Sequence, residues 1–259
     1  MPEPISNNKR IAKNTIALYF RMMVMMAIGL FTSRVILKTL GVVDFGINNV
    51  VGGIVIMFSF LNNTMTAATQ RFLSFEMGKN NVSSINKVFN VAFVIHLFIC
   101  VIVFVLAESV GLWFLKNKLV IPAERFDAAL WVYQLSVIST LLGITQVPYQ
   151  AVITAREKMG VYAYLSIIDV TLKLILVAII CFVDFDKLKL LALVVFFNGL
   201  IVFLITRIYC IRHFDECRLH FVKDWRAYLE ILNYAGWNLS SHVILIARTQ
   251  GVNILLNLF

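Results

Sequence analysis

Uncharged, mostly apolar stretches occupy 45–70, 88–107, 128–155 and 190–206, and each is close to the length that crosses a bilayer. A spanning helix takes about 20 such residues at 1.5 Å rise each. In hydrocarbon an isolated segment satisfies its backbone polar groups only as a helix. Extending the stretches to their charged flanks predicts helices over roughly 14–36, 43–72, 85–114, 128–154, 159–183 and 188–211. A polar, aromatic segment follows at 212–232, and a seventh apolar stretch begins near Asn233 and runs to Phe259. The expected fold is all-α and transmembrane. Residues 1–211 form an N-terminal six-helix lobe, 212–232 a cytoplasmic amphipathic linker and 233–259 a seventh transmembrane helix. Gly52-Gly53 in the second helix and Pro148 in the fourth are the predicted bend points, the proline because it removes one backbone donor.

Composition agrees with this reading. Hydrophobic residues make up 60% of the chain and charged residues 14%, against about 25% charged in a soluble domain. A formal charge of +9 would suggest nucleic acid in a soluble protein. Here it reads as topogenic, and no nucleic-acid partner is expected, because Lys and Arg collect in cytoplasmic loops. With six crossings the loops on the N-terminal side carry 13 Lys and Arg and the opposite loops 7. That excess places the N-terminus and 212–232 in the cytoplasm. The four cysteines suggest no disulfide framework, and the polar N-terminus reads as leading into a retained first helix. The apolar run at Leu258-Phe259 has no hydrophilic tail. The chain therefore reads as the front half of a larger protein or a truncated frame, the alternative being a seventh helix that ends at the far surface.

Charges inside spans cost about 2.5–3.5 kcal/mol each on insertion scales and default to functional hypotheses. Asp169 and Lys173 stand four apart on the fifth predicted helix, hence on one face. They read either as an ion- or proton-coupling site or as a mutually neutralising pair that holds the helix to its neighbours. Uncharged polar residues also recur within spans: Asn62, Asn63, Gln70, His96, Gln134, Gln146, Asn198 and His242. Most such groups join neighbouring helices by hydrogen bonds, while the Asn62-Asn63 pair is a candidate for lining a sugar passage. Cys210, His213, Cys217 and His220 share one helical face, yet stacked along one helix they could not all reach one ion, so no metal site is expected. The aromatic residues Phe214, Phe221, Trp225 and Tyr228, with Leu219, are expected to dip toward lipid at the cytoplasmic surface. No phosphate loop, nucleophile elbow or paired acid is present. Asp184 and Asp186 read as a solvated outer loop, and the chain is not expected to be an enzyme or to carry a cofactor.

Three segments point to a family. Ser33-Arg34-Val35-Ile36-Leu37-Lys38-Thr39-Leu40-Gly41-Val42-Val43-Asp44-Phe45-Gly46 resembles the first-loop signature of polysaccharide flippases. Ala67-Ala68-Thr69-Gln70-Arg71-Phe72-Leu73-Ser74 is similar to the end of their second helix, and Asn233-Tyr234-Ala235-Gly236-Trp237-Asn238 to the entry of their seventh. Together these resemble the Wzx-type flippases of lipid-linked oligosaccharides, within the superfamily that includes the multidrug and toxin extrusion transporters. The resemblance implies the N-terminal lobe of a MATE-like flippase in the bacterial inner membrane. It implies alternating-access translocation of a polyprenyl-pyrophosphate-linked oligosaccharide for lipopolysaccharide, O-antigen or capsule, with membrane lipids and glycan polymerases as partners. Such transporters have two six-helix lobes, and this chain lacks nearly all of the second.

The resemblance also assigns roles. Arg21 either binds the carrier pyrophosphate through its planar fork of donors or snorkels to headgroups. Arg34 and Asp44 could pair to close an outward gate, and Arg71 would stand where a headgroup enters. Terminal anchoring, or a turn for Asp44, is the plainer reading of these three. Arg248 would face the first lobe across the cavity or snorkel. The competing functions are ion-coupled efflux of organic cations, which should favour buried acids, and a non-transporting membrane scaffold.

Overall fold

The computed structural model describes residues 4–56, 60–79, 82–180, 182–183 and 185–237, and the side chains at 4–11, 13, 54, 56 and 60–64 lie outside the description. The described chain is built from helices α1 (Pro4–Ile56), α2 (Phe60–Gly78), α3 (Val82–Leu106), α4 (Leu112–Asn117), α5 (Phe126–Ala155), α6 (Met159–Ile180) and α7 (Lys187–His213). A further helix, α8, runs over 225–237. Among the described residues there is no strand, and five helices are long and apolar enough to cross a membrane. The first of these, Asn14–Gly53, bends at Gly41. The second predicted crossing, 43–72, is divided between 42–56 and α2, with 57–59 outside the described residues.

Gly41 marks the corner of α1. Its φ of 76° and ψ of 175° interrupt an otherwise helical run, in a region open essentially to glycine alone. The predicted bend at Gly52-Gly53 is not found, for the backbone is helical through both. Pro148 lies within the single helix α5 and is buried. The end of α5 is closed by Glu157 in a left-handed conformation, φ 53°. The Lys158 N–H bonds the Ile153 carbonyl at 3.0 Å and the Glu157 N–H the Thr154 carbonyl at 2.9 Å, the pattern of a Schellman cap.

Helix α5 is the axis of the bundle and packs against α1, α2, α3, α6 and α7. Its Tyr133, Tyr149, Val152 and Ile153 are fully buried. The outward faces are apolar: Phe20, Met23, Met26 and Leu30 on α1 and Phe98, Val101 and Val105 on α3 are exposed. In water that surface would be unfavourable, and in lipid it is ordinary.

Charged contacts segregate to two ends. At one end Arg125 joins Asp44 and Asp186, and Lys189 joins Asp127. At the other Arg156 joins Glu216 at 2.7 Å and Lys87 joins Asp224 at 2.6 Å. Residues 215–224 fall within the linker expected over 212–232. They form a short 3-10 turn, Asp215–Cys217, and then extended chain tied down by α3. The Asn86 side chain donates to the carbonyls of Glu216 at 2.8 Å and Arg218 at 3.0 Å, and Asn90 donates to the Arg218 carbonyl at 3.1 Å. The His220 N–H donates to Asn90 Oδ1 at 2.8 Å. Phe214, expected to dip toward lipid, is buried with Cys210 and Cys217, while Leu219, Phe221 and Trp225 are exposed.

Candidate functional site

The bundle interior contains a polar seam where α5, α6 and α7 meet. Gln146 of α5 donates to Thr206 Oγ1 of α7 at 3.0 Å, and Thr206 in turn donates to the Val202 carbonyl at 2.8 Å. Asn198 of α7 donates to Asp169 Oδ1 of α6 at 2.6 Å. Gln146, Thr206 and Asp169 border a hollow of about 60 Å³ that Gln150, Tyr162 and Ser166 complete. A buried amide is costly without partners, and Asn198 keeps one unsatisfied oxygen here.

Arg21 reaches this seam from α1. Its guanidinium carbon lies 4.5 Å from the centroid of the Tyr162 ring, and its Nε is enclosed with no acceptor. A cation over an aromatic face is worth about 2 kcal/mol or more once desolvated. The side chain therefore turns onto α6, over a ring that is itself part of the hollow's lining.

Two expected pairings are not made. Asp169 and Lys173 share a face of α6 but form no ion pair; Asp169 is held by Asn198, and Lys173 opens into a separate cavity. The i,i+4 spacing permits contact but does not compel it. Arg34 and Asp44 do not pair either. Arg34 is exposed, whereas Asp44, 4% exposed, accepts from Arg125 of the α4–α5 connection. Arg125 also donates to Asp186 at 2.8 Å, and Asp186 caps α7 by accepting from the Leu188 and Lys189 N–H groups. Asp186 is thus a structural joint and not a solvated loop carboxylate.

Arg71 stands in the C-terminal half of α2 with its guanidinium 4.1 Å from the Tyr234 ring centroid, and Phe72 meets the same ring edge-on at 5.9 Å. Two of the three sequence segments singled out above, 67–74 and 233–238, are thereby in contact. Asn62 and Asn63 lie in α2 with side chains outside the description, and Arg248 and His242 lie outside the described residues.

Comparisons with protein-family models, with curated proteins and with solved structures find no match for this chain.

Among the described residues no cluster of His, Cys, Asp or Glu could hold a metal ion. The four residues aligned by spacing are engaged elsewhere: His213 with the Tyr209 carbonyl at 3.0 Å and His220 with Asn90 at 3.0 Å. A hydrogen bond with Cys210, with burial added, pushes the Cys217 thiol up, away from the thiolate a metal needs. At the same end the Lys87 ammonium, beside Asp224, holds that carboxyl below its usual range.

Several polar residues of the interior escaped the sequence. Glu108 lies in a π-turn, Ala107–Gly111, where α3 passes into α4, and it accepts from Gln134 of α5 at 3.3 Å. Its signal was a lone acid at the end of a long apolar run. Arg125 and Glu216 read as loop charges, and only the fold places Glu216, at 2% exposed, against Arg156. Asn90 gave no signal beyond being an amide in an apolar stretch.

Proposed function

We propose that this chain is one helical lobe of a membrane transporter that carries an anionic, lipid-linked substrate, with a polyprenyl-pyrophosphate-linked oligosaccharide as the class the sequence resemblance favours. The observation that carries the reading is Arg21, turned into the bundle over Tyr162 beside the Asp169 hollow. A guanidinium kept among helices retains donors for phosphate oxygens, and polar groups sheltered from lipid mark substrate paths. The lipid tail would stay in the bilayer while the headgroup follows the seam. The basic end that holds Arg156 and Lys87 would be the cytoplasmic one under the positive-inside rule, with the N-terminus on the same side, and the sequence resemblance favours a bacterial inner membrane.

The test is deletion of the gene in its source organism, followed by assay of lipid-linked glycan on the cytoplasmic leaflet. Accumulation rescued by the intact gene, and by Arg21→Lys better than by Arg21→Gln, supports the proposal. No accumulation overturns it.

A second reading gains from the structure. Because Lys173 does not neutralise Asp169, the seam holds a carboxylate whose one described partner is an amide, which suits ion-coupled efflux of organic cations. Loss of drug-cation export in Asp169→Asn, with glycan handling intact, would favour it.

A further inference from the structure

We propose that a small inorganic anion occupies the cavity at Lys173. This cavity, about 190 Å³, lies between α1, α5, α6 and α7 and is lined by Asn48, Gly52, Ser136, Ser139 and Lys173 among apolar side chains. A single water needs roughly 10–15 Å³, so the space suffices for an anion that keeps part of its hydration.

Of the four polar side chains that face it, one has a partner. Ser139 donates to the Leu135 carbonyl at 2.8 Å. Lys173, Asn48 and Ser136 make no hydrogen bond or ion pair with any described residue. They come from three different helices, α6, α1 and α5, and bring an ammonium, an amide and a hydroxyl to one space. All three can donate, the amide and the hydroxyl can also accept, and the ammonium has no acceptor capacity. An ammonium held among helices without a counter-charge is unfavourable, and the nearest carboxylate on its own helix, Asp169, is engaged by Asn198 at 2.6 Å. The absent side chain of Gly52 leaves the α1 wall open at this point. The lining holds one ammonium and no carboxylate, with an amide and hydroxyls able to turn their donors inward, which suits an anion, and the cavity's size favours a small one. The inference does not depend on what the protein transports.

The test uses the purified full chain in detergent, with chloride as the probe against gluconate at equal ionic strength. An anion that binds only the folded state raises the melting midpoint with concentration by mass action, roughly 3 °C per tenfold above saturation for a chain of this size. Chloride-35 line broadening reports the binding directly. The expected result is chloride-dependent stabilisation that disappears in Lys173→Met, weakens in Ser136→Ala and persists in Asp169→Asn. A midpoint indifferent to chloride would mean the cavity holds water alone and would overturn the proposal. So would an unchanged chloride response in Lys173→Met, which would locate the anion elsewhere. A response that emerges only in Asp169→Asn would show that Asp169 is the true counter-ion.

Discussion

Single residues in this bundle differ in what they hold, and burial decides the magnitude. Arg156 and Lys87 both make ion pairs at the same end, at 2.7 and 2.6 Å. The Lys87–Asp224 pair has both side chains more than 40% exposed, and solvent screens such a pair. Glu216 is nearly fully buried, so removing its partner strands a carboxylate away from water. Arg156→Met should therefore destabilise by about 1–3 kcal/mol, the range reflecting the exposed half of the arginine. Lys87→Met should change stability much less than Arg156→Met does, because water screens an exposed pair. Denaturation midpoints of the two variants in the same detergent check the ordering, and equal losses would refute it. At this scale the sequence was a poor guide. It marks Arg21, Asp44, Asp169 and Lys173 as costly charges, but contact depends on which helix face meets which neighbour, and a single spacing rule along one helix cannot supply that.

At the scale of elements, charge spacing located the helices well. The observed α3 with its π-turn and α4, then α5, α6 and α7, fall on the predicted crossings within a few residues. The connections were less legible. Residues 215–224 are polar and aromatic, a composition shared by a surface helix and by a strap packed on the bundle. The asparagines that distinguish them, Asn86 and Asn90, lie 130 positions away. The corner at Gly41 falls in the connection, 37–42, left between the first two predicted helices. An added Cβ at Gly41 meets no atom within 4 Å, so space is not the constraint. Its backbone conformation is, and Gly41→Ala should cost about 1–3 kcal/mol. Gly46→Ala, where φ is not positive and no atom lies within 4 Å, should be neutral or slightly stabilising, since it trades glycine's chain entropy for a helix former. Thermal melts of the two variants side by side provide the check.

The whole molecule is a bundle with a polar seam within and a lock at each end. The lock near Gly41 gathers the start of the segment after the corner, the entry to α5 and the cap of α7 onto one guanidinium, Arg125. Two carboxylates depend on that one positive group. If it is removed, Asp44 and Asp186 are left close together and mutually repelling, an arrangement that hard divalent cations relieve. Arg125→Gln should thus acquire a trait the parent lacks: its melting temperature should climb with millimolar magnesium or calcium and fall on chelation. In a bacterium, such a variant would tie the integrity of this membrane protein to the mineral content of its surroundings.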